Sequence, residues 1–226
     1  MHKITVISSG PGSQDFMTPL AHRKASASEV LIGMQLQLSA VDTSACKCVY
    51  QESSINEILK LIERHEGQEV GVLVTGDAGI FSLTQKIIAL FGKDAIKEVI
   101  PGVSSIQVGF ARVKESWANV RVFSFHGREI SGLDEVLAAD RAAILCDKIN
   151  NASELIRRLD ELGLFQDKCG GTSDKGCGGP SNNRRVFVCE NLTLEDEHVT
   201  EIANIDEIKG LRGWTRQIVL LLKPAT

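Results

Sequence analysis

Short apolar runs alternate with helical patterns along the first hundred residues of the chain. The runs are rich in β-branched residues and lack polar alternation, which is typical of strands buried on both faces of an α/β sheet. They predict five strands, at residues 4–7, 30–32, 48–50, 70–74 and 99–100. We therefore expect a sheet covered by helices in this part of the chain.

The segment between the third and fourth predicted strands has the clearest helical pattern. Its apolar residues recur at i, i+3, i+4 and i+7 and form one stripe: Ile55, Ile58, Leu59 and Ile62. Ser54 and Glu57 have the spacing of a capping box, in which the two side chains bond free amide groups of the first turn. Gly67 is placed to end this helix.

The pattern restarts at residue 121. Strands are predicted at 121–125, 142–146, 185–189 and 217–222, and a helix at 152–162. The last strands have no long helices between them, which favours antiparallel pairing. We predict two α/β domains, 1–112 and 119–226, joined by a linker at 113–118. Residues 166–183 are rich in Gly, Ser and Asn without apolar periodicity, which indicates a long mobile loop.

Composition narrows the class of protein. The chain has 226 residues, 43% of them hydrophobic, and a net charge of −4. This length suffices for one large domain or for two small ones, each with its own core. Its scattered Lys and Arg residues argue against nucleic-acid binding, which needs a basic face. No apolar run approaches the roughly 20 residues of a membrane span, and the early first strand leaves no room for a signal peptide. We expect a cytoplasmic protein, bound neither to nucleic acid nor to membrane, with six reduced cysteines.

Glycine-containing turns follow three of the predicted strands: Gly10-Pro11-Gly12, Gly76-Asp77-Ala78-Gly79 and Pro101-Gly102, which leads into Ser104 and Ser105. Each has an ordinary structural explanation, because Asp and Gly favour turns and Ser caps helices. Ligands bind at the carboxyl ends of strands in open α/β sheets, so the joint pattern predicts a site for a small polar ligand. The turns lack both the dinucleotide fingerprint and the Walker A lysine, and Pro11 removes an N–H that a phosphate loop would use.

Together these turns resemble the loops of the tetrapyrrole methylases. "SSGPGS" is similar to their Gly-x-Gly-Pro-Gly loop, "TGDAGIFSL" to their Gly-Asp-Pro-Gly loop, and "IPGVSSIQ" to their Pro-Gly-x-Ser-Ser segment. The resemblance covers nearly the whole chain. It implies a fold of two α/β domains with the active site in the cleft between them, S-adenosylmethionine as the methyl donor, and a homodimer.

Two further segments resemble one branch of that family. "VFSFHGRE" at 122–129 and "RRVFVCENLTLEDEHV" at 184–199 are typical of the branch that methylates carbon 5 of precorrin-7, with or without cobalt, in cobalamin biosynthesis. In some relatives a fused domain methylates carbon 15 and removes a carboxyl group. The chain ends soon after its last predicted strand, so we expect that activity in a separate protein.

Three positions depart from the family pattern. Ser8 stands at the first family glycine, and Ala78 stands at the usual proline of the second loop, which frees a backbone N–H. In siroheme-type members an acid after the second strand transfers a proton, but the matching residues here are Gly33 and Met34. The resemblance therefore assigns no catalytic acid to this chain.

The resemblance implies a set of ligand contacts. Around S-adenosylmethionine it places Pro11, Gly76, Asp77, Ile80, Ser104, Ser105, Asp147 and Asn191. Substrate contacts are expected of Gly10, Gly12, Arg112, His126 and Arg128. Precorrins carry many carboxylates, so a mildly acidic protein needs local cations, of which His126 and Arg128 are the strongest candidates. His126 is also a candidate for proton transfer. Weaker cation candidates are Lys114, Arg184 and Arg185.

The cysteines predict no metal site. Cys169 and Cys177 are too widely spaced for a zinc knuckle. Cys46 and Cys48 alternate in a predicted strand, which would place both side chains on one face.

Two other hypotheses stay open. A methylase of the same fold could act on another precorrin, on uroporphyrinogen, or on a protein or RNA site. A non-catalytic module that binds a tetrapyrrole or nucleotide would bind its ligand without releasing S-adenosylhomocysteine.

Overall fold

The computed structural model describes residues 1–165, 184–212 and 216–223, so the predicted loop at 166–183 lies outside the described residues. The chain divides into two compact units, Met1–Val108 and Gly109–Thr226. The division falls inside a helix, ahead of the predicted linker at 113–118. Among the described residues, no helix has both the length and the apolar character that crossing a membrane requires.

The first unit is built on five parallel strands in the order β3-β2-β4-β1-β5. Their bounds are β1 Lys3–Ser8, β2 Val30–Gly33, β3 Cys48–Gln51, β4 Glu69–Val74 and β5 Ile96–Ile100. All five predicted strands are confirmed. Because every neighbouring pair is parallel, the carboxyl ends of β1, β4 and β5 lie at the same edge of the sheet.

Helices cover both faces of this sheet. They are α1 Pro19–Ser26, α2 Gln35–Leu38, α3 Ile55–Arg64 and α4 Thr84–Phe91. A further helix, α5 Ser105–Arg112, follows β5 and contains the division between the two units. Successive strand residues point to opposite faces. Val72 therefore packs in one apolar cluster with α3 and α4, whereas Leu73 packs in another with α1.

The capping box predicted for α3 is wrong. The backbone N–H groups of Ser53 and Ser54 both donate to Glu52 Oε1 at 2.7 Å. The Ser54 N–H is therefore already bonded, and Glu57 instead accepts from Lys60 Nζ at 2.8 Å. Within residues 1–165 the Ser54 side chain accepts no capping hydrogen bond.

The apolar stripe of α3 is also narrower than predicted. Its buried residues are Ile58 and Ile62, as predicted, together with Leu61, which was not predicted. Leu59 is half-buried against the same cluster, and Ile55 is 37% exposed.

Cys46 and Cys48 do not share a face. The strand β3 begins at Cys48, so the alternation that places residues on one face does not extend to Cys46. Cys46 packs against the apolar cluster beneath α1, and Cys48 packs against the cluster beneath α3. Both thiols are free, as are those of Cys146 and Cys189.

The second unit has a mixed sheet in the order β6-β7-β10-β8-β9. Its elements are β6 Arg121–Ser124, α6 Leu133–Ala138, β7 Arg141–Leu145, α7 Ala152–Glu161, β8 Arg185–Glu190, β9 His198–Ile202 and β10 Gln217–Leu222. β6 and β7 are parallel, and the other pairs are antiparallel. The predicted strands, the helix and the antiparallel pairing are confirmed, whereas β9 is an additional strand.

The register of this sheet brings several strand ends to one edge. Leu145 at the end of β7 pairs with Ile218, and Glu190 at the end of β8 pairs with Gln217 at the start of β10. Since β6 runs parallel to β7, the loops that follow β6, β7 and β8 all leave from this edge.

Candidate functional site

Three loops at the carboxyl edge of the first sheet bond to one another. Gly10 and Gly76 form an isolated antiparallel bridge, in which Gly76 N donates to Gly10 O at 2.8 Å. Ser9 N donates to Val74 O at 2.8 Å, and Ser9 Oγ donates to the same oxygen at 3.0 Å. A Cβ atom on Gly102 would lie 3.0 Å from Gly76 O, so the third loop approaches the second closely.

Gly10 and Gly76 occupy their positions for different reasons. Both have a positive φ, +74° and +72°, which favours glycine. A Cβ atom on Gly10 would lie 2.7 Å from Phe16 O, so the space there is filled by backbone. At Gly76 the nearest atom to an added Cβ is Ser104 Cα, at 4.0 Å. Gly76 is itself buried, so this gap forms a small cradle between the second and third loops.

Asp77 ties the second loop to the third. Its Oδ1 accepts from Gly79 N at 2.8 Å, its Oδ2 accepts from Gly102 N at 2.9 Å, and its carbonyl accepts from Ile80 N at 3.2 Å. Both carboxylate oxygens thus fix the backbone of the site. Each still has a lone pair that can accept from a ligand, because a carboxylate offers about four acceptor positions.

The other predicted cofactor residues of the first unit lie in the same loops. Ser104 Oγ accepts from Ile106 N at 3.2 Å, which confirms a capping role for one of the two serines, and Ser105 is the first residue of α5. Pro11 is buried, and Gly12 and Ile80 are half-buried. All eight first-unit candidates therefore follow β1, β4 or β5 at this edge, seven of them in the loops and Ser105 at the start of α5.

In the second unit, Asp147 joins the loop after β7 to the loop after β6. Its Oδ2 accepts from Gly127 N at 2.6 Å, and its Oδ1 accepts from Ile149 N at 2.8 Å and Asn150 N at 2.6 Å. Burial alone would raise the pKa of Asp147, but these N–H groups and the nearby charge of His126 hold it below its usual value.

Asn150 is a residue of this edge that the sequence did not single out. Its Nδ2 donates to Phe125 O at 2.8 Å and to Arg128 O at 2.7 Å. The available signal was the Asp-x-x-Asn spacing, because Asp147 N donates back to Asn150 O at 3.2 Å and closes the turn.

His126 and Arg128 are exposed and belong to the same loop. His126 Nδ1 lies 3.2 Å from Cys146 O. A carbonyl oxygen only accepts hydrogen bonds, so Nδ1 carries a proton and Nε2 is the atom left to face a ligand.

Three further predicted cations, Arg112, Arg184 and Arg185, bind groups of this chain. Arg112 forms a two-point ion pair with Glu197, which raises the pKa of the guanidinium. Arg185 pairs with Glu201 and Glu115 at 2.9 and 3.1 Å. Arg184 is buried and donates to the carbonyl oxygens of Ala139, at 2.7 Å, and Leu137. Lys114 is exposed.

Asn191 follows β8, and both polar atoms of its side-chain amide form hydrogen bonds with other residues of the second unit. Its Nδ2 donates to Asp196 Oδ2 at 2.5 Å, and its Oδ1 accepts from Arg216 N at 3.1 Å. A buried chain runs from the end of β8 towards α7: Gln217 Nε2 donates to Glu190 Oε1 at 2.9 Å, and Gln217 Oε1 accepts from Ala152 N at 3.0 Å. Asp147 and Asn191 thus lie at the same edge of the second sheet.

Comparison with known proteins decides the family. The model for the Tetrapyrrole (Corrin/Porphyrin) Methylases matches residues 3–209. The chain is a tetrapyrrole methylase. It is similar to a probable cobalt-precorrin-7 C(5)-methyltransferase of Methanocaldococcus jannaschii, at 26% identity over 90% of this chain and 92% of that protein. It is also similar to a cobalt-precorrin-7 C(5)-methyltransferase of Salmonella typhimurium, at 24% identity over 87% and 88% of the two chains.

A solved structure has the same fold as this methylase. The precorrin-6Y methylase of Archaeoglobus fulgidus superposes with a TM-score of 0.70 at 23% identity, and the match covers 100% of both chains. The predicted two-domain tetrapyrrole methylase fold is confirmed. The chain is therefore an S-adenosylmethionine-dependent methyltransferase of tetrapyrroles.

The first-unit loops of this methylase suit that methyl donor. Their segments 8–16, 75–85 and 101–107 contain no Lys or Arg, and Asp77 lies at their centre. A nucleotide phosphate would need cations or a nest of N–H groups, whereas S-adenosylmethionine carries a sulfonium and an ammonium group. The negative charge and the acceptor oxygens of Asp77 are chemically compatible with these two cationic groups.

The sequence predicts that the cysteines form no metal site, and these cysteines lie both inside and outside the described residues. Within the described residues, no group of three or more His, Cys, Asp or Glu side chains is arranged to hold a metal ion. Cys169 and Cys177 lie outside the described residues.

Proposed function

We propose that this methylase transfers a methyl group from S-adenosylmethionine to carbon 5 of precorrin-7 or its cobalt complex in cobalamin biosynthesis. The observation that carries the proposal is the exposed His126-Gly127-Arg128 loop, bonded to Asp147 and Asn150 at the carboxyl edge of the second sheet. The two curated relatives named for this reaction support the choice of acceptor.

The chemistry required of the protein is alignment. S-adenosylmethionine supplies a methyl group on an electrophilic sulfonium. The protein's residues hold the acceptor carbon in line with that methyl group, and positioning of this kind can contribute roughly 7–11 kcal/mol. Asp77 and the loops around Gly10 and Gly76 hold the donor in this proposal.

The acceptor is a polyanion, and the loop after β6 offers it two cationic side chains. Arg128 is suited to a two-point contact with an acetate or propionate carboxylate. His126 presents Nε2, because Nδ1 is bonded to Cys146 O. This atom can donate to a carboxylate when the ring is protonated, or accept a proton when the ring is neutral.

The decisive experiment is a transfer assay. The purified protein is incubated with methyl-labelled S-adenosylmethionine and, in separate reactions, with precorrin-7, cobalt-precorrin-7, an earlier precorrin and uroporphyrinogen. We expect label at carbon 5 of precorrin-7 or its cobalt complex. Label only on another acceptor would overturn the proposed substrate. S-adenosylhomocysteine binding without turnover on any acceptor would instead favour the non-catalytic module.

The proposal extends to partners and location. We expect a cytoplasmic homodimer and a separate protein for the carbon-15 methylation and decarboxylation. Light scattering of the purified protein tests the dimer. A coupled assay in which a second protein decarboxylates the product tests the separation of the two activities.

A further inference from the structure

The loop after β6 is closed by a side chain from the loop after β7. Asn150 Nδ2 donates to two carbonyl oxygens, Phe125 O at 2.8 Å and Arg128 O at 2.7 Å. These oxygens lie on either side of His126 and Gly127. A primary amide has two N–H donors on one nitrogen, so it can bond both oxygens at once.

Asn150 is itself held in place. Its backbone N–H donates to Asp147 Oδ1 at 2.6 Å, and its carbonyl accepts from Asp147 N at 3.2 Å. The other oxygen of Asp147 accepts from Gly127 N at 2.6 Å. The loop after β6 is thus bonded to the loop after β7 through Phe125, Gly127 and Arg128.

The backbone between these bonds has the form of a tight turn. Gly127 has a φ of +64°, which favours glycine, and Arg128 N donates to Phe125 O at 3.3 Å. Phe125 O therefore accepts from both Arg128 N and Asn150 Nδ2. Without Asn150, both carbonyl groups lose a partner. Across its ends the turn then keeps the 3.3 Å bond from Arg128 N to Phe125 O, and Gly127 N remains bonded to Asp147.

We propose that Asn150 is a positioning residue, which fixes the 125–128 turn so that His126 and Arg128 meet the acceptor in one geometry. The inference rests on the proposed function of these two side chains. The positioning role belongs to the amide group of Asn150. An Asp at position 150 would have the same shape, but its carboxylate would face two carbonyl oxygens without a hydrogen to donate.

The test compares Asn150 with its neighbour. Asn150→Ala and Asn150→Asp both remove the two donors. Asn151→Ala is the matched control, because Asn151 Oδ1 caps α7 by accepting from Glu154 N at 3.0 Å and serves the helix. Melting temperature, affinity for S-adenosylhomocysteine, and kcat and KM for the acceptor are measured for each protein.

We expect Asn150→Ala and Asn150→Asp to lose about tenfold or more in kcat/KM for the acceptor, because small misplacements of substrate-holding groups are costly. Affinity for S-adenosylhomocysteine should stay within about twofold of wild type. Asn151→Ala should lower the melting temperature but keep kcat/KM for the acceptor. Equal kcat/KM losses in the position-150 and position-151 variants at matched melting temperature would overturn the proposal.

Two further measurements separate this inference from the proposed function. Amide hydrogen exchange over residues 125–130 should accelerate in Asn150→Ala and Asn150→Asp but not in Asn151→Ala. Unchanged exchange shows that Asn150 does not hold the turn, whatever the acceptor is. If the wild type methylates no precorrin while hydrogen exchange behaves as expected, the proposed function is wrong, but the role of Asn150 in holding the turn stands. In an Arg128→Ala background, Asn150→Ala should cost much less activity, and full additivity would contradict a role through Arg128.

Discussion

Ser8 Oγ accepts a hydrogen bond from Ala78 N at 2.8 Å. Ser8 is fully buried at the end of β1, and Ala78 is buried in the loop after β4. These are the two residues of the first-unit loops that depart from the family pattern. A proline at 78 would have no N–H to donate, and a glycine at 8 would have no oxygen to accept it. The two departures therefore form a single interaction.

This bond predicts strong coupling in a double-mutant cycle. Ser8→Gly should leave the buried Ala78 N–H without its acceptor and lower the free energy of unfolding by about 1–3 kcal/mol. The double variant, Ser8→Gly with Ala78→Pro, removes both partners of the hydrogen bond. Its loss in the free energy of unfolding should therefore be smaller than the sum of the losses in the two single variants. Urea unfolding of the four proteins measures the coupling, and strictly additive losses would show that the two residues act independently.

Replacement of Asp77 should affect the fold as well as the ligand. Asp77→Ala frees the Gly79 and Gly102 amide groups, so we expect a loss of about 1.5–3 kcal/mol in the free energy of unfolding together with weaker S-adenosylhomocysteine binding. Unfolding in urea and calorimetric titration measure the two effects. Asp15→Ala, an exposed residue of the loop after β1, is the control and should change neither. Native stability and unchanged affinity in Asp77→Ala would refute both roles.

Arg128 and Arg112 should respond differently to truncation. Arg128→Ala should raise KM for the precorrin or lower kcat while leaving S-adenosylhomocysteine affinity unchanged, and added salt should weaken the wild type more than the variant. Arg112→Ala removes an ion pair with Glu197, so it should lower stability with a smaller effect on the acceptor. Methyl transfer at two salt concentrations distinguishes them. Identical acceptor kinetics in Arg128→Ala and wild type would make Arg128 an ordinary surface residue.

Glu154 makes part of the stability depend on pH. Hydrogen bonds from Arg157 and Arg158 lower the pKa of Glu154 from 4.5 to about 2. Because the folded pKa lies below the ordinary value, these contacts stabilise the fold above about pH 4.5, and their contribution is lost as the pH falls towards 2. In Glu154→Gln the free energy of unfolding should therefore fall less steeply across this range.

Urea unfolding at several pH values between these limits measures that slope. Glu161→Gln is the matched control, because Glu161 pairs with Arg157 from a position that is 61% exposed. It should keep the wild-type slope. The same slope in all three proteins would mean that Glu154 contributes nothing to acid sensitivity.

The parts of the fold that the sequence predicts are those encoded by local burial. β1, β2 and β4 are almost wholly buried, so their side chains form apolar runs that are visible in a short window. β9 lies at an edge of its sheet and has one buried residue, Ile202, so its composition is too polar to mark a strand. The predicted capping box at Ser54 does not form because a third nearby residue, Glu52, accepts from the Ser54 backbone N–H in place of Glu57.

The functional site, like the fold, is predictable where its signal is local in the sequence. The turns of Gly10, Gly76 and Pro101 have local signatures, and the family resemblance assigns them a ligand. The bonds that hold those turns in place join residues far apart in the chain, such as Asp77 with Gly102 and Asn150 with Phe125. A single sequence carries no direct signal for contacts of that kind, since either partner alone is an ordinary turn residue.

The mutual bonding of the first-unit loops has a thermodynamic consequence. The Gly10–Gly76 bridge and the Asp77–Gly102 bond join protein groups only, so neither bond requires a ligand. Under the proposed role of these loops, we expect association with the methyl donor to lose little conformational entropy on the protein side, which leaves more of the contact energy available as affinity.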